Sequence, residues 1–212
     1  ASTGVIGTPL PVERIRDGVP ALADGLRPQG FNDLARAMMT TDTVPKAEVR
    51  TAEIDGKHFT MAAVAKGAGM IRPDMATMLA FVCTDVAAEP ATLRSMLRRA
   101  CDNSFNRISI DGDTSTNDTV LLMANGLSEI VLDSETAQTH FQTVLDEMLL
   151  SLARQLVKDG EGVTKLVELR VKGAASRNDA VQVADTVAHS PLVKTAFFGE
   201  DANWGRIFMA VG

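Results

Sequence analysis

The segment Pro73-Asp-Met-Ala-Thr-Met-Leu79 holds the side chain whose surroundings best suit a nucleophile. Thr77 stands between a loop rich in glycine and proline and an apolar run, where a hydroxyl can face a cleft between loop and sheet. A plain threonine hydroxyl is too weakly activated to attack at neutral pH. Without a histidine partner, the remaining local activator is an α-amine on the same residue. That amine exists only if the chain is cut between Ala76 and Thr77. The small Ala76 leaves its carbonyl within reach of Thr77 Oγ, so an N-to-O acyl shift followed by ester hydrolysis would free it. An α-amine with a pKa of roughly 7.7 to 8.0 is partly neutral at pH 7 and can serve as base. Spacing alone leaves two readings open: this nucleophile, or an ordinary β-branched residue at the start of a strand.

Other chemistry is poorly supported. His58, His140 and His189 lie far apart, none paired with another at metal-ligand spacing, and each reads as a surface or hydrogen-bond-satisfied residue. No GxSxG elbow is present to support a serine triad. The pairs Gly67/Gly69 and Gly160/Gly162 resemble the opening of a dinucleotide loop, but Arg72 and Lys165 stand where the third glycine belongs. The run DGDTSTND at 111–118 has the carboxylate density of a cation loop. Its glycine comes second and Leu122 occupies the twelfth position, which favours a hydrogen-bonded loop that buries Ser and Thr hydroxyls.

The elements that must position Thr77 follow from periodicity. Apolar spacing predicts short helices over Val12–Leu26 and Phe31–Met39, interrupted by Pro20, Pro28 and Gly30. Alternation on either side of Asp55-Gly56 predicts a hairpin. The run Met78–Val86 is too apolar for a one-faced strand and predicts a buried one, as does Thr119–Asn125. Pro90 opens a helix with Leu93, Met96, Leu97 and Ala100 on one face. The longest helix is expected over Ser134–Asp159, with a stripe of Phe141, Val144, Leu145, Met148, Leu149, Leu152 and Leu156. Val167, Leu169 and Val171 alternate as a further strand, Asn178–His189 reads as helix and Val193–Phe198 as extended chain; Trp204–Val211 fits either helix or strand. The sum is an α/β (α+β) domain of alternating strands and helices.

Composition narrows the partners. The 212 residues are 45% hydrophobic and 23% charged, ordinary for a globular chain, and no apolar stretch is long enough to span a membrane. A net charge of −6, with Arg94, Arg98 and Arg99 as the densest basic cluster, argues against nucleic acid. Eight Phe, one Trp and no Tyr leave few rings for stacking ligands. Cys83 and Cys101 sit in apolar segments without CxxC spacing, as expected of two buried thiols in a reducing cytoplasm. The first residues lack the features of a secretory signal, and both ends read as cut.

Six blocks, in order, carry a resemblance: STGVIG, MMTTDTVPK, KGAGMIRPDMATMLAF, SIDGDTSTNDTV, DGEGVTK and SPLVKTAFFGEDANWGR. They resemble the ornithine acetyltransferase family, also called glutamate N-acetyltransferase or the bifunctional arginine biosynthesis proteins, and the resemblance runs the full length. It implies a two-layered sheet-and-helix fold resembling N-terminal-nucleophile hydrolases but distinct from them in topology. It implies self-processing at Ala76-Thr77, giving an α piece that ends with residues 1–76 and a β piece that begins with 77–212. The pieces are expected to stay assembled, within a cytoplasmic homo-oligomer. Thr77 would be the nucleophile and Thr3 and Gly4 the oxyanion hole, while Thr40, Lys66 and Glu161, together with Thr77, would contact substrate. The implied reaction is ping-pong: N-acetylornithine acylates Thr77, ornithine leaves, and glutamate takes the acetyl group; some members also accept acetyl-CoA. No cofactor and no metal is implied. Family members extend beyond both ends of this chain, and their C-terminal segment supplies an Asn and a Ser to the substrate site. The alternative expectation is therefore a non-catalytic, unprocessed piece of such a protein. A related N-terminal-nucleophile amidase is a third.

Overall fold

The computed structural model describes residues 5, 7–27, 29–72 and 78–212. Among these, four strands form one sheet in the order β1-β2-β3-β4: Lys46–Ile54, Lys57–Lys66, Leu79–Thr84 and Thr119–Ala124. The first three pair antiparallel and β3 pairs parallel with β4. Asp55 and Gly56 both take positive φ, 52° and 78°, which is the primed turn whose twist matches a tight hairpin. Register then follows without slippage, from Ile54 opposite Lys57 to Lys46 opposite Ala65.

One layer of helices covers one face of this sheet. The parallel step from β3 to β4 is made through α3 (Pro90–Asp102), whose proline occupies the first turn, where no hydrogen bond is lost. The long helix α4 (Glu135–Lys158) begins at Ser134, whose hydroxyl accepts the Ala137 N–H at 3.1 Å. Its stripe of Phe141, Leu145, Met148, Leu149, Leu152 and Leu156 is fully buried against Phe59, Met61, Ala63, Ala80 and Val82 of the sheet and against α3. Phe59 and Phe141 meet with ring centroids 5.7 Å apart. The expected stripe is thus the core, with Val144 at its half-buried margin.

Two smaller helices, α1 (Val12–Asp24, with Pro20 inside) and α2 (Gly30–Ala37), precede the sheet, and α2 packs on β1 and β2. After α4 come α5 (Arg177–His189), α6 (Pro191–Phe198) and α7 (Trp204–Val211). Among the described residues no helix is long and apolar enough to cross a membrane.

Four expectations need correction. β3 and β4 are covered on one side only: Leu79, Phe81 and Cys83 are half-buried, and Leu121 and Met123 are 44% and 46% exposed. Cys83 is accordingly half-buried, unlike Cys101. The alternating Val167, Leu169 and Val171 form no strand, because a strand requires a ladder partner and this segment pairs with neither edge of the sheet. Val193–Phe198 is helical, started by Pro191 in the first turn and by the Ser190 hydroxyl, which caps the Val193 N–H. A similar cap, Asn203 accepting the Arg206 N–H, settles the ambiguous Trp204–Val211 as a helix.

Candidate active site

Lys66 ends β2 with a side chain only 6% exposed. A buried ammonium must find partners. Its Nζ donates to Thr40 Oγ1 at 2.7 Å and lies 3.9 Å from an Asp42 oxygen. An ammonium carries three donors, so the Thr40 bond leaves capacity for a ligand carboxylate or carbonyl. Thr40 sits in the turn after α2 and is exposed.

Beyond Lys66 the chain turns through Gly67, Ala68 and Gly69, and Glu161 lies against that turn. Its N–H donates to the Ala68 carbonyl at 2.7 Å. Its carboxylate rests on Gly69 so closely that a Cβ there would meet Cδ and both oxygens at 2.8 to 2.9 Å. The Glu161 carboxylate has no hydrogen-bond or ion-pair partner among the described residues and is free for a cation. Thr40, Lys66 and Glu161, far apart in sequence, are therefore brought into one cluster.

Behind them lies a buried charge network. Asp42 accepts hydrogen bonds from Lys46 Nζ at 2.6 Å, the Gly67 N–H at 2.8 Å and the Thr40 N–H at 3.2 Å. Burial pushes its carboxyl up, but the hydrogen bonds from Gly67, Lys46 and Thr40, with the Lys46 charge, outweigh it and hold the pKa below the ordinary value. Asp159 accepts from Lys46 Nζ at 2.5 Å, from the Thr43 N–H at 3.0 Å and from the Thr43 hydroxyl. There too burial opposes the charge, and the bonds from Lys46 and Thr43 prevail, bringing the pKa to about 2.

The loop 111–118 proves to be a brace built mainly on its aspartates. Asp111 accepts the N–H groups of Met70 and Ile71 at 2.6 and 2.9 Å and that of Asp113 at 3.1 Å. Asp118 accepts the Met78 N–H at 2.7 Å. The two carboxylates thus grip both flanks of the segment 72–77. Asp118 Oδ2 is buried with no partner among the described residues, and burial raises the pKa more than the Met78 bond and the Lys66 charge lower it. The expected hydrogen-bonded loop is present, but carboxylates do the work assigned to Ser and Thr hydroxyls.

Thr3, Gly4, Ala76 and Thr77 lie outside the described residues. Sequence reasoning also missed partners. His189, read as an isolated helix residue, has Nε2 2.8 Å from Ser109 Oγ and Nδ1 3.1 Å from Asp185 Oδ1. Among the described residues that Asp185 oxygen accepts no hydrogen bond, so the ring is not held as a triad histidine is. A cavity of about 460 Å³ opens there, lined by Ile108, Ser109, Leu150, Val157, Leu166 and Asp185, but not by Thr40, Lys66 or Glu161. Lys46 and Asp159 were not singled out either, although the blocks MMTTDTVPK and DGEGVTK contain them.

Fold and site together define a two-layered α/β protein that pairs an ammonium and a carboxylate over a glycine turn at a strand end. The ArgJ family profile matches residues 1–212, and the chain belongs to that family. It is 57% identical over 213 residues to the arginine biosynthesis bifunctional protein ArgJ of Geobacter sulfurreducens, covering 100% of this chain and 54% of that one. The corresponding protein of Symbiobacterium thermophilum is 53% identical over 214 residues, covering 100% and 53%. The crystal structure of arginine biosynthesis bifunctional protein argJ from Bacillus halodurans superposes with a TM-score of 0.59 at 46% identity, over 62% of this chain and 63% of that one. The chain spans about half the length of the curated relatives it matches.

Proposed function

We propose that this chain carries the nucleophile and much of the substrate site of a self-processing acetyltransferase of arginine biosynthesis. In this reading Thr77 Oγ attacks the Ala76 carbonyl, and the Ala76–Thr77 peptide becomes an ester. Water hydrolyses that ester, leaving a carboxylate on Ala76 and a free amine on Thr77. The amine then takes the Thr77 hydroxyl proton as Oγ attacks the acetyl carbonyl of N-acetylornithine. Thr3 and Gly4 stabilise the oxyanion, and ornithine leaves with a proton on its nitrogen. The glutamate amine attacks the acetyl ester in turn, forming N-acetylglutamate and restoring Thr77. Acetyl-CoA is a second donor in the same scheme, in keeping with the word bifunctional in the relatives' names.

The observation that carries this reading is the cluster at the end of β2. Lys66 is bonded to Thr40 at 2.7 Å, and the Glu161 carboxylate lies on the adjoining Gly69. An α-amino acid donor presents a carboxylate and a remote ammonium, and these two side chains are complementary to both. Strand register supports the same site, since Leu79, two positions after Thr77 in sequence, pairs with Lys66. Pieces 1–76 and 77–212 would share one core, because β2 of the first pairs with β3 of the second and packs under α4. Such pieces remain assembled after cleavage. Cytoplasmic location and homo-oligomeric assembly belong to the same reading.

A second reading has its own support. The chain spans about half the length of its relatives and leaves Val49, Leu121 and Met123 uncovered, as a non-catalytic piece would. Intact-mass spectrometry and an acetyl-transfer assay decide between them. The active enzyme yields masses for 1–76 and 77–212 and moves acetyl from N-acetylornithine to glutamate. Thr77→Ala should abolish both. An uncut, inactive chain supports the second reading, and a fully active Thr77→Ala variant refutes the first.

A further inference from the structure

The segments carrying Thr40, Lys66 and Glu161 share one buried anchor. Lys46, the first residue of β1, is 1% exposed. Its ammonium donates to Asp42 at 2.6 Å, to Asp159 at 2.5 Å and to the Val44 carbonyl at 3.3 Å, which uses all three of its donors. None remains for a ligand, so Lys46 acts only through its partners. Asp42 extends the connection to the Gly67 and Thr40 N–H groups and approaches Lys66. Asp159 extends it to Thr43 and stands two positions before Glu161. Two lysines and two aspartates balance within this pocket. Removing one leaves an uncompensated buried charge, which the surrounding segments must move apart to hydrate.

We infer that Lys46 is a positioning residue: through Asp42 and Asp159 it sets the separation between the Thr40–Lys66 pair and Glu161, and hence the affinity for a ligand bearing both a carboxylate and an ammonium. The ligand in this inference rests on the acetyltransferase reading, whereas the geometry does not. Lys46 lies on β1, the 40–44 turn precedes it, the 67–69 turn follows β2, and 159–161 follows α4. Among the described residues, Lys46 is the one side chain that bonds directly to both aspartates governing these turns.

Two variants test the inference by two independent measurements. Asp159→Asn keeps the shape of the side chain and removes one charge; Lys46→Met removes the anchor. If Lys46→Met does not fold, Asp159→Asn carries both measurements. In amide hydrogen exchange, residues 40–44, 67–69 and 159–161 are expected to exchange together, about tenfold faster or more, while β3 and β4 keep their rates. Acceleration confined to the substituted segment overturns the inference. In acetyl transfer, the KM for N-acetylornithine is expected to rise about 10- to 100-fold, with kcat within about threefold. In a Glu161→Ala background the same substitution should raise KM by less than about threefold while lowering Tm by its full amount. Effects on KM that simply multiply would mean a structural role alone and would overturn the inference. Absence of transfer by the unsubstituted chain refutes the acetyltransferase reading, and hydrogen exchange still decides the role of Lys46.

Discussion

Replacing Gly69 by alanine should separate stability from function in one step. The added methyl would stand 2.8 Å from Cδ and Oε1 of Glu161 and 2.9 Å from Oε2, where ordinary contact begins near 3.4 Å. The carboxylate must therefore retreat by about 0.6 Å or swing to another rotamer, which a terminal group on a flexible side chain does cheaply. The backbone at Gly69 does not have positive φ, so alanine fits it. Loss of glycine freedom in the unfolded chain then favours folding by about 0.4 to 1 kcal/mol. Function should move the other way. A carboxylate displaced by about half an ångström to one ångström from a ligand ammonium costs about 10- to 100-fold, or roughly 1.4 to 2.7 kcal/mol of transition-state binding. The assay pairs thermal melting with kcat/KM for acetyl transfer from N-acetylornithine. The expected result is an unchanged or raised Tm with kcat/KM down by at least about tenfold. A Gly69→Ala protein with unaltered kcat/KM would show that the Glu161 carboxylate does not hold substrate from this position.

Three further outcomes are expected. Asp159 titrates at about 2 in the fold against an ordinary 3.8, so its ionised form contributes stability, on the order of 2 kcal/mol, that is present above about pH 4 and lost as pH falls towards 2. Asp42, also lowered, adds to this loss, whereas Asp118, raised, favours folding most at low pH and gives that up as pH rises through its folded pKa; urea midpoints against pH should fall less steeply below pH 4 in Asp159→Asn, and an unchanged slope would contradict the assignment. Burial, then the Asp102 charge, raises the Cys101 thiol to about 12, and burial raises the half-buried Cys83 as well, so a thiol reagent at pH 8 should modify Cys83 before Cys101 in the native protein, with mass spectrometry reporting the order. Leu149→Ala, in the fully buried stripe of α4, should cost about 3 kcal/mol in denaturant unfolding; a loss below about 1 kcal/mol would mean the stripe is not the core.

The parts of the fold that were legible in advance are those governed by neighbours in the chain. The Asp55-Gly56 turn, Pro90 in the first turn of α3, and the 3.6-residue stripe of α4 each depend on residues within a few positions of one another. The errors have the same origin. Alternation at Val167, Leu169 and Val171 describes side chains and cannot say whether a strand edge is available to receive the backbone. The apolar character of β3 and β4 suggested cover on both faces, but a run of Leu, Phe and Val does not report how many layers reach it. At Val193–Phe198 the local signal, Ser190 followed by Pro191, was present and went unread.

For the site, residue types and spacing in the polypeptide left Thr77 open between a nucleophile and an ordinary strand residue, and it was the resemblance that nominated it together with Thr40, Lys66 and Glu161. Nothing local connects those residues. Their meeting depends on the β1–β2 register that carries Lys66 to the strand end, on α4 delivering Asp159 to Lys46, and on a glycine small enough for Glu161 to rest upon. Charges far apart in sequence become strong partners only when folding removes the water between them, so the Lys46 network could be read only after the chain had closed around it.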